Sequence, residues 1–86
     1  MKFKAELTAS SSKEFGALPL QIQRRLRDAI DELLESWPSF RPKQVKALHG
    51  GQGWRLRVGE YRAIFEVEDT TLVFTRFGHR STIYRT

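Results

Sequence analysis

The chain has 86 residues, with 15 Lys/Arg against 10 Asp/Glu and no cysteine. That length sets a single domain, 1–86, with a small core. The absence of cysteine excludes disulfides and thiolate metal sites, and two histidines with no Cys or carboxylate pattern beside them supply no zinc set, so neither metal nor cofactor is expected.

Lys2 to Leu7 alternates, with Phe3, Ala5 and Leu7 on one side, which predicts a strand with one buried face. Ser10-Ser11-Ser12-Lys13-Glu14 reads as the opening of a short helix with a capping-box pattern, ended by Gly16. Pro19 suits the first turn of a longer helix. Ile22, Leu26, Ile30, Leu33, Leu34 and Trp37 recur at helical spacing, and Arg24, Arg27, Asp28, Asp31 and Glu35 form the solvated face. Trp37-Pro38 stops this helix. Ser39 to Gly53 reads as a connection in which Val45 and Leu48 reach the core.

A hairpin follows. Trp54, Leu56 and Val58 alternate with Arg55 and Arg57, and Gly59-Glu60 makes a two-residue turn of type II′. This turn pairs Val58 with Tyr61, Arg57 with Arg62 and Leu56 with Ala63. After a turn at Asp69-Thr70-Thr71, a last strand runs from Leu72 to Phe77. With Val73, Thr75 and Phe77 directed at the helices, Arg76 joins the face of Arg55, Arg57 and Arg62, and Arg80 lies near it. The fold class is therefore α+β in the order β-α-α-β-β-β, a small, mainly antiparallel sheet with two helices packed on one face.

The charge is one-sided. Residues 1–40 hold six basic and six acidic side chains, and residues 41–86 hold nine and four. The whole net charge of +5 thus lies in the second half, on the sheet face without helical cover. Like charges paired across strands destabilise a sheet, so gathered arginines imply an anionic partner, nucleic acid or an acidic protein; phosphate is the expected group, and the open face is a sensible place for an RNA backbone.

Val45-Lys46-Ala47-Leu48-His49-Gly50, the run Trp54 to Arg62, and Gly78-His79-Arg80-Ser81-Thr82-Ile83-Tyr84 together resemble the RelE/ParE superfamily of bacterial toxins. The similarity spans essentially the whole chain. It implies a toxin of a type II toxin–antitoxin system, neutralised by a partly disordered cognate antitoxin. RelE-like members are metal-independent endoribonucleases that cut mRNA in the ribosomal A site and leave a 2′,3′-cyclic phosphate. ParE-like members inhibit DNA gyrase without cleaving RNA. On this resemblance Arg62 is the phosphate-binding arginine, Arg57 accompanies it, Arg80 serves the leaving group, Tyr84 stacks on a base, and His79 stands where relatives carry lysine or histidine. Lys46, Arg55 and Arg76 are the further RNA- or phosphate-binding positions.

One departure concerns the general base. Where some relatives have lysines on the first hairpin strand, this chain has Arg55 and Arg57, which stay charged. His79, Tyr84 and Lys46 remain as proton acceptors, and His79 suits that exchange best near neutrality. The leading expectation is a ribosome-dependent mRNA endonuclease. A ParE-like gyrase inhibitor and a nucleic-acid-binding accessory domain without toxicity stay open. With no apolar run of membrane-spanning length and no leader pattern at Met1-Lys2-Phe3-Lys4, the expectation is a soluble, cytoplasmic protein with no membrane partner.

Overall fold

The computed structural model describes residues 2–39, 43–48 and 53–83. Its elements are β1 (Lys4–Leu7), α1 (Ala9–Gly16), α2 (Leu20–Ser36), β2 (Val45–Ala47), β3 (Trp54–Val58), β4 (Tyr61–Glu68) and β5 (Thr71–His79). The strands form one sheet in the order β1-β5-β4-β3-β2. β1 runs parallel to β5, and the other neighbours are antiparallel. The α+β class holds, with one strand more than expected. β2 lies inside the segment read as a connection, where three residues are too few to show alternation. Its Val45 is 3% exposed and pairs with Leu56.

The stripe on α2 buries Leu26, Ile30 and Leu33 against Leu56, Ala63, Phe65, Leu72, Phe74 and Phe77. Fully burying one such side chain contributes roughly 1.5–3 kcal/mol. Trp37, just past the end of α2, packs edge-on against Trp54 and Phe65, with ring centroids 5.1 and 5.4 Å away. Arg24, Arg27, Asp28, Asp31 and Glu35 are exposed, as the period requires.

The serine run plays a different part from the one its pattern implies. The N-cap of α1 is Thr8, whose Oγ1 accepts the Ser11 N–H at 3.1 Å. Ser11 is fully buried and its Oγ donates to the Phe74 carbonyl at 2.7 Å. Glu14 closes no capping box; its Oε1 accepts the Phe77 N–H at 2.9 Å. The reason is topological. β1 pairs with β5 only as far as Phe74, and the outer edge of β5 beyond that point still carries backbone groups that need partners. Side chains of α1 supply them.

β5 corrects a second expectation. Ile64 pairs with Arg76, but Phe65 pairs with Phe74, so Thr75 is an extra residue at a bulge. A bulge sets two residues opposite one and resets the alternation. Leu72, Phe74 and Phe77 therefore point inward, while Val73 and Thr75 do not join the core. Arg76 keeps its predicted side.

The hairpin register is as expected: Val58 with Tyr61, Arg57 with Arg62, and Leu56 with Ala63. Gly59 has φ +59°, and Glu60 stays out of the left-handed region, the sign pattern of a type II′ turn. Gly53 is equally constrained. Its φ is +122°, and a Cβ there would lie 2.8 Å from the Phe65 carbonyl oxygen. Because that neighbour is backbone, it cannot step aside. Gly53→Ala is expected to cost about 1–3 kcal/mol and to lower the melting temperature by about 5 °C or more, measured by thermal circular dichroism. An unchanged midpoint would mean that the entry into β3 relaxes freely.

Candidate nucleic-acid interface

Two cross-strand rows build the face opposite the helices. One runs Lys46, Arg55, Ile64, Arg76 from β2 to β5. The next runs Arg57, Arg62, Gly78. Cross-strand partners project to the same side, so the five basic residues named from sequence on these strands share one face. Their side chains then diverge.

Arg55 and Arg62 meet His79, Arg80 and Ser81 around one open depression. Arg62 lies over the hairpin turn, its Nη1 donating to the Gly59 and Tyr61 carbonyls at 2.9 Å each. Arg57 is exposed opposite it and lies outside the depression. Arg55 is half-buried, and its Nε is buried with no hydrogen-bond acceptor among the described residues. A buried donor left unmet costs about 1–3 kcal/mol, and an anionic oxygen entering from the depression would meet it.

Arg80 is held from two directions. Its N–H donates to the Glu60 carbonyl at 2.8 Å, and its guanidinium pairs with the Glu60 carboxylate. Both side chains are largely exposed, so the ion pair positions Arg80 without adding much stability. Arg76 is placed otherwise. Its Nε lies 3.7 Å from Glu14 Oε2 on α1, and it does not line the depression. Lys46 is exposed at the β2 edge, across from Arg55. Tyr84 and His49 lie outside the described residues.

The face is also less open than its lack of helical cover implied. After β5 the chain turns back, with the N–H groups of Thr82 and Ile83 both donating to the His79 carbonyl at 3.0 Å. Ile83 is 3% exposed yet stands apart from the main core, packed over Gly78. This turn carries Arg80 and Ser81 to the rim. Ser81 was missed from sequence, as was Arg25, an α2 residue whose guanidinium lies over the Gly59 turn, 3.2 Å from where a Cβ would stand. Ser81 stands within a motif but has no role assigned there, Arg25 falls in no motif, and the closing of the chain brings both to the hairpin.

His79 is fixed on two sides. Its ring meets Tyr61 edge to face with centroids 5.3 Å apart. Its Nδ1 accepts the Ser81 N–H at 3.0 Å and lies 2.7 Å from Ser81 Oγ.

Comparisons with known proteins agree with this architecture. The profile of the ParE toxin of type II toxin–antitoxin systems, parDE, matches residues 5–84. Toxin RelE3 of Methanocaldococcus jannaschii is 33% identical over 76 residues, covering 84% of each chain. The toxin in the RelB–RelE antitoxin–toxin complex from Methanococcus jannaschii superposes with a TM-score of 0.74 at 31% identity, over 92% of this chain and 94% of that one. The archaeal RelE–RelB complex from Pyrococcus horikoshii gives a TM-score of 0.77 at 28% identity, over 95% and 99%. Sheet order, helix placement and sequence similarity along nearly the whole chain converge on one assignment: the chain belongs to the RelE/ParE family of type II toxin–antitoxin toxins.

Proposed function

We propose that this toxin is a ribosome-dependent endoribonuclease that cuts mRNA in the A site and so halts translation in the cytoplasm. The observation that carries the reading is the arginine-lined depression with the unmet Nε of Arg55. A surface that only touches protein has no need of three arginines gathered around one depression.

The chemistry follows from charge. The RNA 2′-hydroxyl loses its proton as O2′ bonds to phosphorus. The bond from phosphorus to O5′ breaks, and O5′ departs and takes up a proton. The products are a 2′,3′-cyclic phosphate and a 5′-hydroxyl. Negative charge grows on the nonbridging oxygens and then on O5′. Arg55 and Arg62, at the floor, answer the first, with Arg57 drawing in the flanking phosphate; Arg80 at the rim answers the second. Guanidinium groups carry this stabilisation without a metal. His79 stands at the border of the depression. Tyr84 stacks on a base, and Lys46 and Arg76 hold the strand on either side.

A gyrase-inhibiting reading has one observation in its favour, the match to the ParE profile. Brief induction separates the two. Mapped mRNA 5′ ends should fall within A-site codons while plasmid supercoiling stays normal. DNA breaks with intact mRNA would overturn the nuclease.

Two further outcomes are expected. Arg62→Ala should lose at least about a hundredfold in cleavage rate, as removing one transition-state donor does. The fold should survive, since the Arg62 side-chain bonds to the Gly59 and Tyr61 carbonyls lie at the hairpin turn, away from the core. A folded variant that arrests growth like the parent would remove Arg62 from the clamp.

The second concerns the antitoxin. Relatives were solved as toxin–antitoxin complexes, and a cognate antitoxin for this chain should present acidic residues to the arginine face. Its affinity should then fall as salt rises, measured by calorimetry from low to high ionic strength. A salt-independent affinity would put the contact elsewhere.

A further inference from the structure

The sheet face opposite the helices carries both signs of charge, and it keeps them apart. The basic rows, Lys46–Arg55–Ile64–Arg76 and Arg57–Arg62–Gly78, occupy the half nearest the hairpin turn. The Arg80 N–H, donated to the Glu60 carbonyl, extends this half by one more pair. The rows toward the other end reverse the sign. Past the Thr75 bulge, Glu66 pairs with Val73 and Val73 with Glu6, then Glu68 with Thr71 and Thr71 with Lys4. Glu6, Glu66 and Glu68 are all exposed, as is Asp69 at the turn that follows. Among the described residues of these rows, each half has one exception, and each exception is in an ion pair: Glu60 with Arg80, and Lys4 with Glu6 at 3.9 Å.

The boundary is sharp. Ile64 and Glu66 stand two residues apart on β4, a rise of about 7 Å. That is less than the Debye length of about 8 Å at physiological salt. A phosphate seated on the Arg55–Arg76 row therefore feels the carboxylates of the next row. Packing does not demand this segregation, because these side chains face solvent.

We propose that the carboxylates of the far half fence the RNA, so that the strand crosses the sheet from β2 to β5 over Lys46, Arg55 and Arg76 and is kept from running lengthwise by Glu6, Glu66 and Glu68. The proposal rests on the nuclease reading for its ligand and goes beyond it in giving the ligand a direction. A strand laid along β4 would carry its phosphates from Arg62 onto Glu66 and Glu68. A strand laid across stays over the cations of β2, β3 and β5, a span of three inter-strand gaps or about 14 Å. Arg55 Nε, the buried donor with no acceptor among the described residues, lies inside that crossing. The carboxylates bind nothing themselves. They confine the contact to a short stretch of chain.

Binding of a short 2′-O-methylated RNA, whose blocked 2′ oxygen cannot attack, tests this on the intact protein. Amide shifts of the ¹⁵N-labelled chain should map to β2, β3 and the hairpin ends of β4 and β5, with residues 66–73 unmoved. Glu66→Gln with Glu68→Gln should tighten binding about threefold or more at low salt, and the gain should shrink as salt rises. Asp28→Asn with Asp31→Asn, exposed on α2 across the core, changes the net charge equally and should leave the affinity at the parental value. Equal gains in both double variants would show that only net charge matters and overturn the fence. Shifts running along β4 to Glu66 and Glu68, or no RNA binding at all, would overturn it too. Unchanged RNA binding with a weakened antitoxin complex would assign the acidic half to the protein partner instead. A parent that shows the crossing footprint yet cuts no ribosome-bound mRNA would defeat the nuclease reading and leave the fence standing. A parent that cuts mRNA while the footprint runs lengthwise would do the reverse.

Discussion

The register of the β3–β4 hairpin is the constraint on which the rest depends. Gly59 at φ +59° sets a two-residue turn, and that turn pairs Leu56 with Ala63 and Arg57 with Arg62. A slip of one residue would exchange the faces of every side chain. It would send guanidinium groups into the core and Leu56 and Phe65 into water. Burial of Leu56, Ala63 and Phe65 under α2 therefore excludes the slipped register. The same choice places Arg55, Arg57 and Arg62 together on the other side, where each repels the others. The core enforces a concentration of charge that the sheet alone would reject.

Two devices at β5 adapt the sheet to this demand. The bulge at Thr75 lets Leu72 and Phe74 enter the core while Arg76 remains on the arginine face. Past Phe74, where β1 no longer pairs, α1 covers the edge through Ser11 and Glu14. Glu14 also faces Arg76, so one carboxylate both satisfies a backbone N–H and balances a cation at the border of the site. Beyond β5 the returning turn seats Ile83 over Gly78 and lifts Arg80 and Ser81 to the rim. The depression is thus made by three strands and a turn. Three of its side chains are oriented by neighbours: Arg62 by the turn carbonyls, Arg80 by the Glu60 carboxylate, and His79 by Ser81.

Much of this was legible before any coordinates. The hairpin could be read because its signals are local: a period of two over Trp54 to Val58 and a glycine at the one turn position that needs a positive φ. The helical stripe of α2 could be read for the same reason. Arg55, Arg62, His79 and Arg80 were all named from residues and resemblance, and they do meet. The serine run misled because Thr8, two residues earlier, makes the cap. Ser11 and Glu14 are there for β5, 63 residues away in each case, and a capping pattern cannot reveal a partner so distant.

The amino-acid order alone carries the α+β class, the buried faces of α2 and of the β3–β4 hairpin and the set of basic side chains on the strands, since these follow from periodicity, turn chemistry and composition within a few residues. Tertiary closure alone places β2, the Thr75 bulge, the turning of Arg76 to Glu14, the seat of Ile83 and the contact of His79 with Ser81. Each of these depends on which backbone or side-chain group arrives beside it once the chain has closed. A hydrogen bond is directional and short, so its partner is fixed by position in space, and a linear pattern of residue types does not carry that position.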